Sequence, residues 1–383
     1  MKPPAPVRRA PAAALLLMLA ALPYFAGCTT FVHVPPTVPA AGDALTEDEA
    51  RLAKSPPQDR VLWEYRVAAE ALRRGEFPEA KRQLNTALAA LGGLLSGPDD
   101  AARRARGYFA PEAVKTFVGE PYERAMAYYY RGILYWRDGE LDNARVCFHS
   151  AALSDTDPAA GRYASDYVLP DYLDGLATAK LGGDGADARA RAQTHTKLPL
   201  PAYDPAANVL CFVEYGRGPL KYATGPDNEQ LRFETTASST VSGRLTVDGQ
   251  PVALPPYDDL DFQATTRGGR VMDYILNNKA VFKSTTDAAP AGAAIAPGGA
   301  QGRNAGAPEN AAAAWPAADT RTWDNLPQYL SFAAFRLAPG PHPARLEFFD
   351  AQGRLMPEFS RNLTLMVKSG GDTVIFLSEL AKS

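Results

Sequence analysis

The chain has 383 residues, with 40 Lys and Arg against 43 Asp and Glu and a formal net charge of −3. A mildly acidic sequence without basic clusters argues against nucleic-acid binding as its main role. The length suits two domains of ordinary size, and past residue 27 no apolar run approaches the ~20 residues that cross a bilayer.

Lys2, Arg8 and Arg9 precede an apolar run from Ala10 to Leu22, which closes on Phe25-Ala26-Gly27-Cys28. A basic head, a short apolar centre and small residues at the end make residues 1–27 a secretory signal, too short for a permanent span. The closing residues also resemble the lipobox of bacterial lipoproteins, with Phe25 where Leu is usual. That resemblance implies that Cys28 takes a diacylglycerol and further acyl chains, such as palmitate. The alternative is ordinary cleavage beside an incidental cysteine. Two or three chains anchor stably where one is marginal. Cleavage would leave 356 residues with a net charge of −6. The Pro, Ala and Thr content of residues 28–59, including Pro35-Pro36 and Pro56-Pro57, predicts an extended, lipidated tether.

Helical periodicity begins near Arg60 and runs, with breaks, to about Ala192, so residues 60–198 are expected to form a helical domain. Tyr128, Gly132, Tyr135, Gly139, Leu141, Ala144, Phe148 and Ala151 match eight signature positions of the tetratricopeptide (TPR) repeat, a 34-residue helix–turn–helix unit. Gly132 and Ala144 let the two helices approach, Tyr135 and Phe148 fill the space between them, and Gly139 permits the turn. Pro158 lies two residues beyond the usual closing proline. An earlier copy surrounds Gly75, with Ala68, Ala71, Phe77, Ala80, Leu84 and Ala87 in place and Trp63 one position off. A third, weaker copy surrounds Gly182, with Gly175 aligned. Three copies suffice to bury a continuous core. Their spacing is uneven, 64 and then 43 residues between the turn glycines, and residues 101–118 would supply an extra helix in the first gap.

The three copies align Tyr65, Tyr129 and Tyr172 at the helix position that faces a TPR groove, and Arg73, Arg137 and Lys180 eight residues later. A ladder of tyrosines beside a ladder of cations suits an extended, acidic or carboxylate-ended peptide. Equally, the tyrosines would pack on neighbouring repeats while the cations form a solvated face.

From Asn208 the pattern turns to short β-type runs: 208–214, 230–235, 240–247, 331–337, 345–349, 363–368 and 373–377. Asp248-Gly249, Pro339-Gly340 and Gly370-Gly371 supply turns. Helices first and strands afterwards give an α+β chain: a TPR-like α-hairpin solenoid, then a small antiparallel β-sandwich-like domain over 199–383. Residues 287–318, almost wholly Ala, Gly, Pro and Asn, are expected to be a disordered insertion in it. Cys147 and Cys211 sit in apolar stretches and are expected to be buried free thiols, with a bridge as the alternative.

Catalytic chemistry finds no support. His33, His149, His195 and His342 lie apart, without metal-ligand spacing, and no nucleophile elbow or phosphate loop exists. Asp258-Asp259-Leu260-Asp261 lacks the glycine and terminal Glu of a calcium-binding hand and is expected to be an exposed acidic turn. Asp155-Thr156-Asp157-Pro158 reads as a repeat terminus. No enzyme activity, metal or cofactor is expected beyond the lipid on Cys28.

Gly119-Glu120-Pro121-Tyr122-Glu123-Arg124-Ala125-Met126, leading into the central repeat, resembles a signature of a family of bacterial envelope lipoproteins with TPR repeats. Phe212-Val213-Glu214-Tyr215-Gly216 with Gly218-Pro219 and Lys221, and Asp319-Thr320-Arg321-Thr322-Trp323-Asp324-Asn325-Leu326-Pro327, resemble the same family. The long Ala/Gly/Pro insertion departs from it. The family has no assigned activity; its relatives are sometimes encoded beside lipoproteins that activate peptidoglycan synthases, which implies a part in envelope assembly. In the third segment Asp319 and Arg321 are expected to pair, with Trp323 packing on the β domain or on the last repeat. Glu123 is expected to sit at the start of the central helix, where the dipole favours a carboxylate.

The expected function is a lipid-anchored periplasmic scaffold whose groove holds an envelope protein or peptide. Thr29 after Cys28, in place of Asp, points to the outer membrane of a diderm host. Two alternatives are a structural component with a self-filled groove and a peptidoglycan- or carbohydrate-binding module using Trp323 as its platform.

Overall fold

The computed structural model describes residues 43–95, 116–155, 165–225, 228, 230–235, 237–267, 270–271 and 318–381. The signal, Cys28, Pro158, residues 101–115 of the extra-helix segment and residues 287–317 of the insertion lie outside these. The described parts of 44–383 form one compact α+β unit. Among the described residues no helix is long and apolar enough to cross a membrane.

Among the described residues seven helices come first: α1 Ala44–Lys54, α2 Arg60–Arg74, α3 Phe77–Leu95, α4 Pro121–Arg137, α5 Leu141–Asp155, α6 Leu169–Lys180 and α7 Ala186–Thr194. α2/α3, α4/α5 and α6/α7 pack as consecutive pairs, with α1 on α2 and α5 on α6. Gly75, Gly139 and Gly182 end the first helix of each pair with φ of +78°, +83° and +86°, a region closed to most side chains. The predicted close approach is present. A Cβ added to Gly132 in α4 would stand 2.7 Å from Phe148 Cε1 in α5.

α1 corrects the tether expectation over 28–59. Residues 44–54 contain no proline and place Leu45 and Leu52 seven apart, on one helical face. Leu45 and Asp48 are buried against α2, where Arg66 meets Asp48 at 3.2 Å.

The strands are β1 Val209–Tyr215, β2 Leu220–Thr224, β3 Gln230–Glu234, β4 Ser242–Val247, β5 Gln250–Leu254, β6 Asp258–Asp259, then helix α8 Leu260–Thr265, β7 Thr266–Arg267, β8 Arg270–Val271, β9 Tyr329–Phe335, β10 Gly340–Phe349, β11 Arg361–Val367 and β12 Thr373–Ser378. One four-stranded sheet runs β12-β1-β9-β6 and another β11-β10-β4-β5; β2/β3 and β7/β8 are two-stranded. β2 and β5 lie where no strand was expected. β5 follows the Asp248-Gly249 turn, whose residues have φ of +49° and +79° as a tight two-residue hairpin requires. The first sheet is mixed, since β1 pairs antiparallel with β9 but parallel with β12.

β1 explains the layering. Every residue of it is buried, and successive side chains point to opposite faces. Leu210 and Phe212 join a core shared with the helices. Cys211, Val213 and Tyr215 join a second core with Leu245, Leu346, Phe348 and Leu365 of the other sheet. The order is therefore helices, first sheet, second sheet. The last of the consecutive helices ends at Thr194 and β1 begins at Val209, and the larger core continues across this change.

Candidate functional site

The seam between the helices and the first sheet holds Glu123, Glu214, Lys221 and Trp323 together with Tyr65, Tyr129, Tyr172, Arg73 and Lys180. α4 opens with a capping box, Glu120 at the cap and Glu123 three residues on, with Pro121 in the first turn. The fully buried Glu123 carboxylate accepts from Glu120 N at 2.6 Å, from Lys221 Nζ at 2.5 Å and from Trp323 N at 2.8 Å. Lys221 also donates to Arg321 O at 2.9 Å. Three segments about a hundred residues apart in the chain thus meet on one carboxylate. A buried charge is tolerable only when its lone pairs and counter-charge are supplied together, and here each segment supplies part.

Glu214 shows the same arrangement against the first and second helix pairs. It accepts from Arg73 Nε at 2.6 Å, Ser378 Oγ at 2.7 Å and Tyr130 Oη at 2.5 Å. Arg73 completes its fork with Glu70 at 2.9 Å and Asn325 O at 2.6 Å. Asp372, in the β11–β12 turn, accepts from Trp136 Nε1 at 2.7 Å and from Lys180 Nζ at 2.8 Å. On the third helix pair Asp258 accepts from Val168 N at 2.7 Å and Leu169 N at 2.8 Å, capping α6 where the helix dipole favours an anion. Burial nonetheless pushes Asp258 up to about 7, against those two bonds and helped by Asp166 and Asp171.

Of the six residues assigned to partner binding, Tyr65, Tyr129, Tyr172, Arg73, Arg137 and Lys180, these contacts correct all but Arg137. The tyrosines are 0%, 2% and 3% exposed. Tyr65 stacks on Trp323 with centroids 4.5 Å apart, Tyr129 meets Phe212 edge-on at 6.4 Å, and Tyr172 tilts against Phe332 at 6.0 Å. The hydroxyls of Tyr65 and Tyr129 have no hydrogen-bond partner among the described residues, so their rings carry the contact. Arg73 and Lys180 do hold carboxylates, as their chemistry predicts, but those of Glu214 and Asp372 in the same chain. Arg137 alone of the six stays half-exposed, its guanidinium 3.7 Å from the centroid of Phe77. The face expected to be an open groove is covered by β1, β9, β12 and the 319–327 segment.

Trp323 is fully buried and packs on Tyr65 of α2 and Tyr130 of α4. Being 0% exposed, it offers no sugar platform. Arg321 pairs with Asp319 at 2.6 Å, as expected, and also with Asp59 at 2.7 Å. The expected exposed acidic turn is a further correction. Asp258 and Asp261 are buried, Asp259 caps the short α8, and burial together with Asp259 raises Asp261 to about 7.

Cys147 and Cys211 are buried and unbridged, with burial raising their thiols to about 11 and about 12. Among the described residues no group of His, Cys, Asp and Glu is arranged to hold a metal ion. Asp372 was missed by sequence reasoning; its place after the Gly370-Gly371 turn was the only signal. No protein-family model, curated protein or solved structure matches the chain.

Proposed function

We propose that the protein is a lipid-anchored structural component of a bacterial envelope, tethered through Cys28 to the outer membrane and facing the periplasm. In this reading TPR-like α-hairpins form a solenoid whose groove is filled by the chain's own β-sandwich-like part. Envelope partners then meet its outer surfaces, and no catalysis is involved. The observation that carries the reading is the burial of Tyr65, Tyr129 and Tyr172 on Trp323, Phe212 and Phe332. The lipobox ending at Cys28 and the three segments that resemble envelope lipoproteins support the location.

Photo-crosslinking in living cells tests the groove. A reactive residue at Tyr129 should crosslink only within the chain, whereas one at the exposed Arg145 on the outer side of α5 should capture other envelope proteins. Capture of a second protein from Tyr129 would sink the self-filled groove. Labelling with palmitate tests the anchor separately: label should appear in the wild type and vanish in Cys28→Ser.

A further inference from the structure

Each of the two larger sheets ends in a strand at either edge, and an open strand edge is a template for another strand. Three of these edges are blunted. β5 carries Pro251, β6 is two residues long and runs into α8, and β12 lies against α2 and α4. β11 is different. It runs for seven residues without a proline and is hydrogen-bonded to β10 alone. Its one charged side chain, Arg361, stands at the strand end and reaches back to Ser378 O at 3.0 Å.

The register shows which backbone groups are left over. Pro343 of β10 accepts from Asp248 N on the β4 side, so Thr364 opposite it directs its N–H and C=O away from β10. The same holds two residues to either side, at Asn362 and Met366. These three backbones have no hydrogen-bond partner outside the β10 ladder among the described residues, and their side chains are exposed, Met366 by 65%. The strand is also self-complementary. Laid antiparallel on a second copy about Thr364, it sets Asn362 of one copy against Met366 of the other, Leu363 against Leu365 and Arg361 against Val367. Leucines then meet on the inner face, threonines meet at the centre of the outer face, and no cation faces its like. We propose that β11 is an interface between two copies of this chain, pairing antiparallel with its mate and joining their second sheets edge to edge. A single strand pair is a small contact, so the association belongs to the weak, transient class.

Oxidative trapping tests the register in the purified full-length chain in detergent, carrying Cys28→Ser, since Cys147 and Cys211 are buried. Facing Cα atoms in such a pair stand about 5.5 Å apart, within disulfide reach. Thr364→Cys should therefore give a disulfide-linked dimer. Asn362→Cys alone should not, because its two copies would lie roughly 14 Å apart along the strands. Mixed with Met366→Cys, it should give the heterodimer. Adding Thr364→Pro to both should lower that yield at least about tenfold. The melting temperature should not change, since the N–H that proline removes bonds nothing within the chain. No dimer from Thr364→Cys, or as much dimer from Asn362→Cys alone, would overturn the proposal. So would a Thr364→Cys chain that, oxidised in cells, joins a different protein in place of itself. The readouts on the purified chain depend on neither lipidation nor location, so the proposal fails separately from the envelope reading.

Discussion

Glu214 and Glu123 show how a single side chain joins two layers. Each carboxylate is buried and each takes donors from both the helices and the β part. Removing one member of such a pair leaves its partner charged and dry, which costs about 3–5 kcal/mol. Glu214→Gln is therefore expected to lower the unfolding free energy by about that amount, read from urea unfolding. Arg336→Ala, which breaks the exposed pair with Asp204, should cost at most about 1 kcal/mol. Equal costs would mean that burial of Arg73 is not what makes Glu214 matter. Asp258 and Asp261 predict a pH effect of definite sign. Both are raised to about 7 in the fold, well above an unfolded aspartate near 3.8. The folded state therefore binds more protons between those values. Their contribution is fully present below pH ~4 and is lost as pH rises through 7. The difference in stability between pH 5.5 and pH 8 should shrink in Asp258→Asn; an unchanged difference would remove Asp258 from the account.

At the level of elements, the helix pairs were legible because their constraints are local. Gly75, Gly139 and Gly182 stand where a chain must reverse with positive φ, and Gly132 faces Phe148 where any side chain would collide. Gly132→Ala should force α4 and α5 apart at a cost of about 1–3 kcal/mol. Phe148→Leu in the same chain should recover part of that loss, because the collision is with the Phe148 ring; a purely additive double mutant would show that the close approach is not the cause. β1 is legible for a different reason, since a strand buried on both faces reads as a continuous apolar run. Short edge elements carry no such signal. β2 and β5 have mixed burial, and α1 was hidden by the prolines that flank it.

At the scale of the molecule, the helices and the first sheet share one core, which contains Tyr65, Tyr129 and Tyr172 together with Trp323, Phe212 and Phe332. Stability built on such a core should be lost in one step. Calorimetry of the whole chain is expected to show a single cooperative transition, and the fragment 43–198 should lack one, because it would expose that aromatic surface. A fragment that melts cooperatively at the temperature of the whole chain would show that the helical part needs nothing from the β part.

Composition and periodicity alone determined the helices-then-strands order, the paired helices with their glycine turns, most of the strands and the residue types that matter. Those features depend on neighbours within about one turn of a helix or one strand, so the sequence carries them directly. What faces Tyr65, Arg73 or Lys180 was decided only by the tertiary structure. Arg73 and Lys180 meet carboxylates of their own chain, but Glu214 lies 141 residues from Arg73 and Asp372 lies 192 from Lys180. At such separations the pairing is set by which buried charge can be satisfied when the layers close, and no local pattern records it.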